Sequence, residues 1–179
     1  MTAPMPFPFI DVAGTPHERG VQIGHQARER IERSVALYSG RIDRLGLTRT
    51  DLAPLVGEIE PSCAHFTPRH VEEMRGIAQG AGLAFEDIAL INARTEIIAR
   101  ARLEASLRNE EPDGCTGVIV LPERSASGRL IHAQNWDWLS ACAQTAIVMR
   151  VRPDTRRRDW FSHAPCPFSA WNISSRAGA

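Results

Sequence analysis

Around residue 114 the hydrophobic period of the chain changes, and no other feature limits the fold as much. Before it, small and apolar residues recur at steps of three or four. After it they come as short apolar runs separated by turn signals. Gly14-Thr15-Pro16-His17-Glu18 opens the first helix, with Thr15 as N-cap, Pro16 at the first helical position and Glu18 closing a capping box. Gly20, Gly24, Ala27, Ile31, Val35, Tyr38, Ile42 and Leu45 then share one face. The small residues at its start suit close approach of another backbone. They do not match a dinucleotide or P-loop fingerprint, which sets its glycines in a tight turn after a strand. Thr48-Arg49-Thr50-Asp51 starts a short helix expected to fade by Gly57. Thr67-Pro68 starts another, ending at Gly80 and Gly82, and a further helix begins near Phe85 and runs to about Leu107. Residues 108–114 are polar, with Pro and Gly breakers, and read as an exposed loop.

Beyond the switch, residues 116–121 (TGVIVL) predict a buried strand, 124–128 (RSASG) a turn and 130–135 (LIHAQN) its hairpin partner. Residues 146–151 (AIVMRV) predict a third strand beside them in one small sheet, with Val118, Val120, Ile147 and Met149 on an exposed face. The pattern is α+β. Lys+Arg and Asp+Glu are both 21, so the net charge is zero, and neither nucleic acid nor an anionic membrane is an expected partner. All the Lys+Arg residues are arginine, which excludes a catalytic lysine or Schiff base. No apolar run reaches the ~18–20 residues of a membrane span, and the first residues do not resemble a signal peptide. The expected location is cytoplasmic. Cys63, Cys115, Cys142 and Cys166 have no metal-ligand spacing, so no metal site is expected. Three of them read as small buried hydrophobes.

Cys115 is different, because it stands where a breaker-rich loop becomes a strand. A cysteine protease of the Cys–His type would set its nucleophile at a helix start, where the dipole lowers the thiol pKa. A strand start suits an N-terminal nucleophile, which is exposed when the precursor is cut before it. Gly114 offers a carbonyl with no side chain in the way and tolerates strained angles. Attack by the Cys115 thiolate gives a thioester that water hydrolyses. The new α-amine, with a reference pKa of about 8, then serves as the base.

Three stretches carry a family resemblance. They are Gly14-Thr15-Pro16-His17-Glu18-Arg19-Gly20 with Gly24; Glu73-Met74-Arg75-Gly76-Ile77-Ala78 through Asn92-Ala93-Arg94-Thr95-Glu96; and Asp113-Gly114-Cys115-Thr116 followed by Gln134-Asn135-Trp136-Asp137-Trp138. Over roughly residues 10–152 the sequence resembles the acyl-coenzyme A:isopenicillin N (6-aminopenicillanate) acyltransferase family, autoproteolytic N-terminal nucleophile cysteine hydrolases. The resemblance implies Cys115 as nucleophile, Gly114–Cys115 as the cleavage site and Asp137 as the anion near the new amino terminus. Read without it, Asp137 is equally a carboxylate held for structure at a strand end. Asn135 and His132 are supporting candidates, although His132 reads first as a satisfied strand histidine. Trp136 and Trp138 read as core or pocket wall, and either Arg94 or Glu96 as a residue near the processing site. No cofactor is implied, and acyl-coenzyme A is a candidate acyl-donor substrate.

The implied fold is an incomplete αββα N-terminal nucleophile hydrolase. Residues 1–114 form a helical pro-segment, 115–155 start the β-chain as a hairpin plus a third strand, and 156–179 are an irregular tail resembling a slipped reading frame. The stretch after Cys115 is too short for two full sheets and two helical layers. Nothing in it corresponds to the family's downstream oxyanion-hole asparagine. The expected function is therefore that of the precursor of a self-cleaving N-terminal cysteine acyltransferase or amide hydrolase working through a thioester acyl-enzyme, truncated and inactive or impaired in these 179 residues. Its partners would be a small-molecule acyl or amide substrate and the α- and β-fragments of its own precursor. Two alternatives stand beside it: a non-catalytic remnant, and a Cys–His hydrolase using Cys115 and His132.

Overall fold

Helix α1 (Pro16–Gln26) starts as its sequence requires: Thr15 Oγ1 accepts from the Glu18 amide at 3.3 Å, and Glu18 Oε2 accepts from the Thr15 amide at 2.8 Å. The computed structural model describes residues 7–104 and 114–154. The small-residue face of α1 lies against α4 (Pro68–Ala81), which carries matching glycines. A Cβ on Gly20 would meet the Glu73 carbonyl at 2.1 Å, and one on Gly76 the His17 carbonyl at 2.3 Å. Across the same interface the buried Arg19 donates from Nε to Glu73 Oε2 at 3.1 Å, while its Nη1 donates to the Gly14 carbonyl at 2.8 Å. Gly82 ends α4 in the left-handed region (φ 67°), and the Leu83 amide reaches back to the Ala78 carbonyl at 3.0 Å.

The helical half departs from its pattern in three places. The long first helix breaks at Ala27 (φ −112°, ψ 14°), and α2 (Arg28–Arg44) follows as a separate helix. The bend separates two incompatible spacings: α1 needs near backbone contact with α4, whereas α2 brings Ile31, Tyr38 and Ile42 to the core. Helix α3 (Arg49–Phe66) does not fade at Gly57 but continues past Pro54 and Pro61. Burial of Val56 and the packing of Ile59 on the core outweigh those local preferences. The last helical run is two helices, α5 (Phe85–Asn92) and α6 (Arg94–Glu104), parted at Ala93. The continuation toward Leu107 and most of the 108–114 loop lie outside the described residues.

The sheet is also rearranged. A strand that the helical reading passed over, β1 (Phe9–Gly14), alternates Ile10 and Val12 into the core with Phe9 outside. It pairs in parallel with β4 (Val148–Pro153), from Phe9 opposite Val148 to Gly14 opposite Pro153. The expected third strand thus joins the N-terminal strand, and the hairpin β2 (Gly114–Val120)–β3 (Ile131–Asp137) forms its own two-stranded sheet. Long-range contacts explain the choice. Arg30 Nη1 donates to the carbonyls of Gln144 (2.9 Å) and Ala146 (2.7 Å), and Arg150 Nε donates to Asp11 Oδ2 at 2.9 Å. Ile147 is consequently buried and Met149 packs on the core, so neither belongs to an exposed face. On the hairpin Val118 is exposed as expected, and Ile119, Leu130 and Ile131 lie open as well, against the expectation of a buried strand. Composition shows that such a strand favours burial; which surface supplies it is a tertiary matter. The tail expected at 156–179, with Cys166, lies outside the described residues.

Candidate active site

Two strand ends meet where the sequence places its chemistry. In the antiparallel register Gly114 is opposite Asp137, Cys115 opposite Trp136 and Thr116 opposite Asn135. Directly paired residues have Cα atoms about 4.5–5.5 Å apart. The backbone positions of Gly114, Cys115, Asn135 and Asp137 therefore fall within three successive rungs at the open end of the hairpin. His132 does not join them. It is opposite Ile119, four rungs from Cys115, or about 13 Å along a strand. A Cys115–His132 dyad would require departure from this register.

Immediately after Asp137 the chain leaves the hairpin and docks on the helical body. The ring Nε1 of Trp138 donates to the Tyr38 hydroxyl at 2.9 Å, and that hydroxyl lies 3.5 Å from Cys142 Sγ. Tyr38, on α2, and Cys142, in a short 3₁₀ turn (Ser140–Gln144), are both buried. Burial pushes the Tyr38 hydroxyl pKa above its ordinary value, and the contact with Cys142 acts in the same direction. From α6, the Arg94 guanidinium sits 5.2 Å from the centre of the Tyr38 ring, and its Nη1 donates to the Ile91 carbonyl at 2.9 Å. Glu96, two residues on, is exposed. Of the Arg94/Glu96 pair, Arg94 is the one turned into the structure beside the hairpin's end.

The roles of Tyr38 and Cys142 here escape sequence reasoning. Tyr38 reads as one more apolar position on a helix face and Cys142 as a core cysteine. The available signal was the hydroxyl of the chain's single tyrosine, a buried group that must find a partner. Among the described residues, no group of three or more His, Cys, Asp or Glu side chains could hold a metal ion. None of the described helices is long and apolar enough to cross a membrane.

The chain is similar to an acyltransferase. Over 143 residues it is 32% identical to the acyl-coenzyme A:6-aminopenicillanic-acid-acyltransferase 40 kDa form of Emericella nidulans. The alignment takes in 79% of this chain and 37% of that protein, so the chain spans little more than a third of this relative's length. The similarity to the acyltransferase supports the family drawn from the three sequence stretches. No protein-family model matches the chain.

Proposed function

We propose that the chain is part of the precursor of a self-cleaving N-terminal cysteine acyltransferase or amide hydrolase, with Cys115 as nucleophile. The observation that carries this reading is Gly114–Cys115 at the first two positions of β2, opposite Asp137 and Trp136, in a chain similar to an acyltransferase. In processing, the Cys115 thiol gives up its proton and its sulfur bonds to the Gly114 carbonyl carbon. The C–N bond breaks and the nitrogen takes a proton, leaving a thioester. Water hydrolyses that thioester to a carboxylate on Gly114 and the free thiol and α-amine of Cys115.

The α-amine, with a reference pKa of about 8, is then the base for the second chemistry. It draws the thiol proton as sulfur attacks an acyl donor, and it returns a proton to the leaving group. The acyl-enzyme passes its acyl group to an amine in transfer or to water in hydrolysis. Asp137, one rung from Cys115 in the strand register, is assigned the task of orienting that amine toward the thiol. Acyl-coenzyme A is the proposed donor on the strength of the relative's name.

The test is intact mass of the purified chain with time. The expected result is loss of the 19.8 kDa species to two pieces divided between Gly114 and Cys115, with no cut in Cys115→Ala. A cut that survives Cys115→Ala removes self-processing from the proposal. Within the same assay His132→Ala should keep the rate within about tenfold, equal to about 1.4 kcal/mol, and Asp137→Asn should cost more. The reverse ranking would favour the Cys–His dyad.

A further inference from the structure

The hairpin that begins with the Gly114–Cys115 bond is poorly held along its length. Residues 116–119 and 131–135 are exposed, and Ile119 is 62% accessible. Its open end is different. Trp138, the residue after the last rung, packs on the core and donates its ring N–H to the buried Tyr38 hydroxyl at 2.9 Å. Leu139 follows it onto the core, and Cys142 closes over the same hydroxyl at 3.5 Å. The Arg94 guanidinium lies 5.2 Å from the centre of the Tyr38 ring. Tyr38 is itself fixed on α2, a helix whose Ile31 and Ile42 are buried in the core. The Trp138–Tyr38 hydrogen bond thus joins the helical body to the strand end carrying Asp137, one covalent step from the rung that pairs Asp137 with Gly114.

We propose that the Trp138–Tyr38 hydrogen bond positions the scissile Gly114–Cys115 bond and Asp137, so that Tyr38 and Trp138 are positioning residues for the self-cleavage proposed above, on which this inference rests. The physical reason is geometric. An exposed two-stranded hairpin is marginal by itself, and proximity catalysis loses large factors for displacements of about 1 Å. Anchoring the strand end through an indole N–H fixes both distance and direction, which apolar packing alone does not.

The experiment uses the full chain with Tyr38→Phe, Trp138→Phe and the double variant. Two quantities are read: amide hydrogen exchange across residues 114–138, and the rate of the cut by intact mass. Tyr38→Phe keeps the ring and removes only the hydroxyl. Each single variant should speed exchange at 114–116 and 135–138 by about tenfold, the factor carried by one lost buried hydrogen bond, while amides of α1 and α4 stay as they were. The double should match the singles, since all three remove the same bond. The cutting rate should fall in parallel. Unchanged exchange at the hairpin's open end in both singles would overturn the proposal, as would effects that add in the double. If the parent chain does not cut, the self-cleavage reading fails by that result alone, and exchange still decides whether the bond holds the strand end.

Discussion

Glycine to alanine should have opposite signs at two helical positions of this chain, Gly76 and Gly40. By propensity alone both changes stabilise, since glycine inside a helix costs about 1 kcal/mol relative to alanine. At Gly40, on α2, a new Cβ meets no atom within 4 Å, so Gly40→Ala should gain most of that amount. At Gly76, on α4, it would lie 2.3 Å from the His17 carbonyl oxygen, 2.9 Å from the Val21 amide nitrogen and 3.0 Å from the Gly20 Cα. All three are backbone atoms of α1 or its first turn, with no flexible side chain to swing away. Relief requires the two helices to part by roughly an ångström, and gaps of that size forfeit a quarter to a half of each dispersion contact along the interface. Overpacking of this kind costs typically about 1–3 kcal/mol, and a clash against backbone belongs at the upper end. Gly76→Ala should therefore lose about 2 kcal/mol net of propensity, and a shift in Arg19 would strain its pairing with Glu73 as well. Denaturant unfolding with a common slope for the three proteins reads both changes. A Gly76→Ala chain as stable as the parent would refute close backbone contact as the reason for the glycine face.

Acid should loosen the β1–β4 pair. The Arg150 guanidinium donates to Asp11 and holds its carboxyl pKa below the ordinary value, against a smaller opposing effect of burial. A carboxylate with a lowered folded-state pKa contributes stability that is present above its unfolded value and lost as pH falls through the folded one. Asp11→Asn should flatten the acid limb of stability below about pH 4, and an unchanged limb would show that the pair contributes nothing there. The open apolar hairpin should promote self-association at micromolar concentration. Replacing the 62% exposed Ile119 with Asp should lower the sedimenting mass toward the monomer; a monomeric parent would show that the exposed strands are tolerated.

What the sequence by itself determined is local. The reciprocal cap of Thr15 and Glu18, the Gly82 stop of α4, the α+β class and the hairpin that opens on Gly114–Cys115 all depend on neighbours within a few residues, and all are present in the structure. The glycine face of α1 was legible too, because only close packing requires small residues at that spacing. The tertiary structure decided the rest. Residues 146–151 have the composition of a strand in any sheet, and only the contacts of Arg30, Asp11 and the buried Ile147 assign them to β1 rather than to the hairpin. The N-terminal strand was too short for its alternation to stand out beside a strong helix start. At the candidate site, sequence order placed Cys115 and Asp137 on one hairpin, but the register alone sets His132 four rungs from Cys115. Tyr38, 100 residues from Trp138 along the chain, could be matched to it only by the fold. Local rules act through the backbone's own geometry and can be read in order; pairings across the chain depend on which surfaces meet, and that is a property of the folded whole.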